Sequence, residues 1–156
     1  MAATLFGMLC IGVTVSIADY ELAGIYRKMA LYVDKNISRE KESSVYFTGH
    51  WGFQYYMEQK GFLAYAQESN DLKQNDLLVT CALAWPQKLS SELTSRLRFI
   101  QAKTFTPILP FRTMNNYMGE QANFYSFLTY ESVYGILPFS IGKNHVEKII
   151  IYKVVK

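Results

Sequence analysis

The spacing of apolar and polar residues divides the chain into a long apolar start, an amphipathic segment and a series of short alternating segments. Residues 1–18 carry no charged side chain, and residues 19–37 repeat apolar residues at helical spacing. From residue 45 onward, short β-prone runs alternate with helical segments and polar connections. This alternation predicts an α/β fold, a small sheet of two or three layers that is parallel in its first half and antiparallel in its late strands.

Residues 1–18 form a borderline membrane span, because a span needs about 20 apolar residues. We predict a transmembrane helix with exposed apolar side chains. A secretory signal is an alternative, since Ser16-Ile17-Ala18 resembles a small-x-small cleavage site, and a buried core helix is another. The run contains no Lys or Arg that could form the positively charged start of a signal peptide. This argues against a signal and suggests that residue 1 is not the natural start. The first two interpretations both place the remainder outside the cytoplasm.

Residues 19–37 are predicted to form a separate amphipathic connecting helix. Asp19 is a plausible N-cap, and Glu21 suits the positive end of the helix dipole. The apolar face comprises Leu22, Ile25, Tyr26, Met29 and Val33. This face can pack on the sheet or lie in the membrane interface.

Residues 38–156 are predicted to form the α/β domain, which opens with a short strand, helix and strand over residues 43–62. Gly49 marks the turn into the helix, and Gly61 ends it. The central strands are expected around Val45, Phe62, Leu77 and Phe99. The strand at Leu77 is expected to be buried on both faces.

The second half of the chain contains a further helix and a late strand. The helix is expected to begin at Pro86 and to run through Leu97, with residues 98–105 as a strand. Residues 106–126 are predicted to be a long loop, and residues 124–134 can hold a strand. The β-branched run at residues 146–155 predicts a strand that joins the same sheet.

The candidate ligand site is the stretch in which the first strand of the α/β domain meets its helix. Gly49, His50 and Trp51 lie there, and Tyr55 follows one turn later. Helix N-termini and the carboxyl ends of parallel strands bind anions, and His50 could donate to a phosphate while Trp51 and the tyrosines stack on a sugar or an isoprenoid. The alternative is that His50 caps the helix while Trp51, Tyr55 and Tyr56 pack in the core.

Composition excludes several classes of function. The net charge of +3 is small and its basic residues are interspersed with acids, so nucleic acid is not an expected partner. Two cysteines, Cys10 and Cys81, form no zinc motif, and no metal site or cofactor is predicted. No serine has a nucleophile elbow and no carboxylates are spaced as an acid–base pair, so no complete catalytic set is visible.

Three stretches resemble a known family: residues 46–58 with Gly61, residues 75–79, and Leu137-Pro138-Phe139 followed by residues 146–152. Together they resemble the C-terminal part of bacterial membrane glycosyltransferases of the protein-mannosyltransferase type, which are also like the aminoarabinose transferases of lipid A. The resemblance covers the chain in order, as a last membrane helix, a connecting helix and an extracytoplasmic α/β domain.

This resemblance implies a membrane-anchored accessory domain of an enzyme that takes its sugar from a polyprenyl-phosphate donor. The expected partners are the lipid bilayer, other membrane helices of the glycosyltransferase and a lipid-linked sugar. The family's catalytic acids lie in loops near its N-terminus that have no counterpart here, so the chain is expected to be a fragment without transferase activity. A structural module of a membrane protein, or a small self-contained enzyme with its site at residues 49–56, are the alternatives.

Overall fold

A computed structural model describes residues 2–37, 43–66, 72–84, 86–112, 140–141 and 147–155. Its helices are α1 (Ala2–Asn36), α2 (Trp51–Gln59) and α3 (Ser91–Arg96). Its strands are β1 (Val45–Thr48), β2 (Leu63–Ala64), β3 (Leu77–Cys81), β4 (Leu97–Phe105), β5 (Phe111–Arg112), β6 (Ser140–Ile141) and β7 (Glu147–Val154). The strand expected within residues 124–134 lies outside the described residues.

The chain forms two compact units, which we call the helix unit and the sheet unit. The described part of the helix unit comprises residues 2–25, 105–112, 140–141 and 147. The sheet unit comprises the described residues between 26 and 104, together with residues 148–155. Helix α1 contributes to both units, and the boundary falls between Ile25 and Tyr26.

Helix α1 is one uninterrupted helix of 35 residues, so the expected start of a second helix at Asp19 is wrong. The residues around Asp19 include no proline or glycine between Val13 and Leu22, and Ala18, Glu21 and Leu22 are good helix formers. A single aspartate inside such a sequence is a mild local cost and does not end the helix.

Helix α1 is long and apolar enough to cross a membrane, and its first half exposes apolar side chains. Leu5, Phe6, Met8 and Leu9 are each more than 60% exposed. Two hydroxyl groups of this half bond to the helix backbone: Thr14 Oγ1 donates to the Cys10 carbonyl at 2.8 Å, and Ser16 Oγ donates to the Gly12 carbonyl at 2.9 Å. These two hydroxyl groups are therefore satisfied within the helix itself.

The remainder of the helix unit includes a contact between α1 and the segment after β4. The backbone N–H of Leu109 donates to both carboxylate oxygens of Glu21, at 3.1 and 3.3 Å. The short strands β5 and β6 pair in antiparallel fashion, with Phe111 opposite Ile141. Part of the predicted loop at residues 106–126 is therefore a strand.

The sheet unit contains a mixed five-stranded sheet in the order β2-β1-β3-β7-β4. Strand β1 is parallel to both β2 and β3, whereas β3 is antiparallel to β7. Tyr46 lies opposite Leu63 on one side and Leu78 on the other. The predicted α/β fold, with a parallel first half and an antiparallel late strand, is confirmed.

The late strand β7 joins the same sheet as predicted, but the positions of two other strands differ from the prediction. The strands near Phe62 and Phe99 were expected to be central, but β2 and β4 are the two edges of the sheet and β7 lies inside it. Strand β2 has two exposed residues, and most of β4 is exposed as well. In β7, Ile149, Ile151 and Val154 are at most 1% exposed, because this strand has the apolar content that an interior position requires.

The strand register assigns side chains to two faces of the sheet, with a helix on each. Phe47 lies opposite Val79, and its ring meets that of Phe53 from α2 edge to face at a centroid distance of 5.8 Å. On the other face, Tyr46 and Leu78 pack in a cluster with Leu93 from α3. The sheet unit therefore has three layers, within the predicted two or three.

Residues 26–36 of α1 and helix α2 share the Phe47 face. The Tyr26 ring lies 6.4 Å from that of Phe53, and an ion pair of 3.0 Å joins Asp34 to Lys60. Tyr26, Met29 and Val33 are buried, which confirms that this apolar face of the predicted amphipathic segment packs inward.

The two short helices have well-defined ends. Gly61 ends α2 as predicted: its φ is +72°, its N–H donates to the Glu58 carbonyl at 2.8 Å, and the next N–H, of Phe62, reaches the Met57 carbonyl at 3.2 Å. Helix α3 begins later than predicted, because Ser90 is its N-cap and its Oγ accepts the Leu93 N–H at 3.1 Å. Pro86 lies before that helix and not in its first turn.

Candidate functional site

The predicted site residues lie together at the carboxyl edge of the parallel strands. Strand β1 ends at Thr48 and α2 begins at Trp51, so Gly49 and His50 form the whole connection. Because β1 and β3 are parallel, the segment that follows Cys81 comes to the same edge. This is the edge at which open α/β sheets bind ligands.

Gly49 is required by its conformation and by its surroundings. Its φ is +135°, and a Cβ placed on it would lie 2.6 Å from Cys81 Sγ and 2.8 Å from Phe53 Cδ1. Both distances are shorter than any real Cβ contact. The sequence predicts a turn glycine here. The structure adds a second reason for glycine, because any side chain at this position would collide with Cys81 of β3 and with Phe53.

Two hydrogen bonds join the end of β1 and the connection after it to the end of β3 and the segment that follows. The backbone N–H of His50 donates to the Ala84 carbonyl at 2.7 Å, and Cys81 Sγ donates to the Thr48 carbonyl at 3.4 Å. The backbone before α2 is therefore fixed on both sides, which is the kind of preorganisation that a binding loop needs. Cys10 and Cys81 are not joined by a disulfide.

His50 occupies the N-cap position of α2, but its side chain makes no capping hydrogen bond. His50 is therefore the N-cap residue, as the alternative expected, although its imidazole takes no part in the cap. The residue is half-buried, and its carbonyl accepts the first helical bond, from Gln54 N–H at 3.4 Å. An imidazole at a helix N-terminus, not used as a cap, can donate to an anion that the helix dipole also favours.

Trp51 and Tyr55 are exposed aromatic side chains on one face of α2. Trp51 is 55% exposed and Tyr55 is 58% exposed, and residues four apart on a helix are neighbours. The Tyr55 ring also meets the Tyr56 ring edge to face, at a centroid distance of 5.2 Å. The alternative that Trp51 and Tyr55 pack in the core is therefore wrong; Phe53 and Met57, both 0% exposed, take that role.

Trp51 also has an unusual backbone. Its φ is +56°, in the left-handed region, which costs a bulky residue roughly 1–2 kcal/mol. Such strain persists only where the surroundings impose it, and it clusters at functional sites. Trp51 directly follows the residue whose N–H bonds to the Ala84 carbonyl, and it lies two residues after Gly49.

Sequence reasoning missed two buried polar atoms, of which the one on Thr48, the last residue of β1, lies at the same edge. Thr48 Oγ1 and Gln87 Oε1 are buried and have no hydrogen-bond partner among the residues that the structure describes. Thr48 is 1% exposed, and strand alternation places its side chain on the face opposite Phe47. A buried unpaired oxygen is unusual and marks a place where a ligand or water can bond. Nothing in the sequence distinguishes these two residues from ordinary surface polar residues.

The described residues supply little chemistry beyond this edge. No three His, Cys, Asp or Glu side chains among them come together to hold a metal ion. Asp76 accepts the backbone N–H groups of Ser44 and Lys73, both at 2.8 Å, and so has a structural role. Glu58 bonds to Gln54 at 2.8 Å, while Glu68 and Asp71 lie outside the described residues.

Comparison with protein-family models, with curated proteins and with solved structures finds no match to this chain. The resemblance to membrane glycosyltransferases therefore stays a prediction from the sequence.

Proposed function

We propose that the chain is a membrane-anchored accessory module of a glycosyltransferase that uses a polyprenyl-phosphate-linked sugar donor, with its α/β part on the extracytoplasmic face. The observation that carries the anchor is the exposure of Leu5, Phe6, Met8 and Leu9 along a helix that has no charged side chain before Asp19. A soluble protein does not expose such a run to water, whereas a bilayer solvates it.

The carboxyl edge of β1 is the proposed contact for the lipid-linked donor. A polyprenyl-phosphate sugar combines an anionic group, a polar ring and an apolar chain. The N-terminus of α2 with His50 suits the phosphate, and the exposed rings of Trp51 and Tyr55 suit the sugar or the first isoprene units. The sequence resemblance of residues 46–58 to the glycosyltransferase family supports the same assignment.

The anchor is tested by separating membranes from cytosol in cells that express the full chain or a chain lacking residues 2–18. We expect the full chain to remain with the membranes after a carbonate wash and the shortened chain to become soluble. Recovery of the full chain in the soluble fraction would contradict the proposed membrane anchor. A Phe99→Cys variant in a Cys10→Ser background, treated with an impermeant thiol reagent in intact cells, then reports the side of the membrane: labelling is expected only if the sheet unit is extracytoplasmic.

Donor binding is tested with a short-chain polyprenyl phosphate added to the detergent-solubilised full chain. His50→Ala is expected to weaken binding by about tenfold or more, since a hydrogen bond to a charged group is worth roughly 1.5–3 kcal/mol. Trp51→Ala is expected to weaken binding by about two- to tenfold, since a favourable ring contact is worth roughly 0.5–1.5 kcal/mol. Phe99→Ala is the matched control, because Phe99 is 58% exposed on β4 and Trp51 is 55% exposed. Equal affinity in Trp51→Ala and Phe99→Ala would exclude this edge as the binding site.

A further inference from the structure

The loop formed by residues 106–110 lies directly against α1 at the end of the apolar run. The N–H of Leu109 donates to both carboxylate oxygens of Glu21, at 3.1 and 3.3 Å. Glu21 is three residues beyond Ala18, the last residue of the uncharged run. With a rise of about 1.5 Å per residue, the Leu109 N–H is within about one helical turn of that end.

The loop presents an apolar tip at this level. Ile108 is 86% exposed, and residues 104–111 include no charged side chain. Pro107 and Pro110 flank the tip and restrict its backbone. Tyr20, beside Glu21 in sequence, is 82% exposed. An exposed tyrosine and an exposed isoleucine at the end of a membrane span are typical of the interfacial layer of a bilayer, which favours amphipathic rings and tolerates apolar side chains.

The charged residues of the same region indicate how deep this part of α1 would lie in a bilayer. Asp19 and Glu21 are ionisable groups that stay out of the hydrocarbon core, so the boundary of that core falls near the start of this stretch. Ile108, held through Leu109 to Glu21, therefore lies at the boundary and not near the bilayer centre. Water would solvate this side chain poorly, whereas the layer between head groups and acyl chains accommodates it.

We propose that Ile108 and Tyr20 form a second lipid contact, in which the tip of the 106–110 loop inserts into the interfacial layer beside α1. The inference rests on the proposed function, because it requires α1 to span a bilayer. It adds that Glu21 is the residue that positions this loop on the membrane surface. The contact sets the depth and tilt of the helix unit and adds little to an affinity that the span already supplies.

The experiment measures depth with an environment-sensitive fluorophore attached to Ile108→Cys in a Cys10→Ser background, reconstituted in phosphatidylcholine vesicles. Cys81 is buried, and the Cys10→Ser chain alone provides the check that it takes no label. Spin-labelled lipids with the quencher near the head group or deep in the acyl chain are added in parallel. We expect a blue-shifted emission and quenching at least twofold stronger by the shallow quencher than by the deep one.

Two further labelled variants make the outcomes distinct. Leu9→Cys, at a position 63% exposed within the apolar run, is expected to be quenched more strongly by the deep quencher. Glu21→Ala combined with Ile108→Cys should reduce the shallow quenching, because the loop loses its contact with α1. The label coupled to a small thiol in buffer gives the value for water.

A deeply quenched probe at Leu9→Cys with a water-like probe at Ile108→Cys overturns the loop contact and leaves the anchor intact. Water-like probes at both positions overturn the anchor itself and the loop contact with it. A probe at Ile108→Cys that the deep quencher affects more strongly overturns the interfacial placement. Unchanged quenching after Glu21→Ala overturns the positioning role of Glu21.

Discussion

Replacing Gly49 by alanine tests the geometry of the site most directly. The added Cβ would meet Cys81 Sγ at 2.6 Å and Phe53 Cδ1 at 2.8 Å, and the Ala84 carbonyl oxygen at 3.2 Å. Overpacking of this kind costs about 1–3 kcal/mol, and a non-glycine residue at a φ of +135° costs about 1–3 kcal/mol more. We therefore expect Gly49→Ala to lower the free energy of unfolding by about 2–6 kcal/mol.

Gly61→Ala is the matched control for the backbone part of this cost. Gly61 also has a positive φ, of +72°, but no heavy atom lies within 4 Å of the position of its Cβ. Its substitution should cost only about 1–2 kcal/mol, the ordinary penalty of a left-handed residue. Combining Gly49→Ala with Cys81→Ala should recover part of the loss, because the nearest clashing atom is removed.

The assay is chemical unfolding of the full chain in mild detergent, followed by circular dichroism and by tryptophan fluorescence. The two signals should give the same midpoint if the sheet unit unfolds in one step. A loss in Gly49→Ala no larger than that in Gly61→Ala would refute the close approach of β1 to β3 at this edge. It would also indicate that the backbone before α2 is not held in place by β3.

Four further predictions concern stability and activity. Asp76→Ala should destabilise by about 2–5 kcal/mol in the same assay, because two backbone N–H groups lose a carboxylate partner; a loss below about 1 kcal/mol would contradict this role. Ser90→Ala should cost about 1 kcal/mol through loss of the α3 cap, while Ser91→Ala, exposed in the first turn, should change stability by less than about 0.5 kcal/mol. Trp51→Gly should be more stable than Trp51→Ala by about 1 kcal/mol, the reverse of the usual helix order, and the usual order would argue against a left-handed Trp51. Purified chain should transfer no sugar from a lipid-linked donor with or without divalent metal, and measurable turnover would favour a self-contained enzyme at residues 49–56.

The class of fold could be predicted because, in the first half of the sheet unit, the alternation of β-prone and helical segments agrees with the positions of the glycines that end them. Val45–Thr48, Gly49 and the helical spacing after it specify a strand, a turn and a helix, and Gly61 supplies the left-handed residue that ends the helix. Buried strands read as continuous apolar runs, which is why β3 was placed correctly and its burial on both faces was expected.

Strand order was predicted less well because it depends on pairing between distant residues. The alternating apolar residues of β7 indicate a strand, but no local signal states that it inserts between β3 and β4. The pairing of Val79 with Ile151 and of Leu78 with Tyr152 is decided by which faces become buried, and that is a property of the assembled sheet. The missed continuity of α1 has a local cause, since a favourable capping residue such as Asp19 is also tolerated inside a helix.

The orientation of α2 shows most clearly where sequence reasoning about the site ends. The helix carries two aromatic or apolar pairs four residues apart: Trp51 with Tyr55, and Phe53 with Met57. Each pair forms a stripe that could face the sheet, because both have the spacing of a buried helical face. The ring of Phe47 and the close approach at Gly49 select the Phe53 stripe, since Phe53 fills the space between β1 and the residues after β3. The Trp51 stripe then has to face outward, at the edge where His50 and the helix N-terminus lie. The exposure that makes this edge a candidate binding surface is therefore a consequence of packing on the opposite side of the same helix.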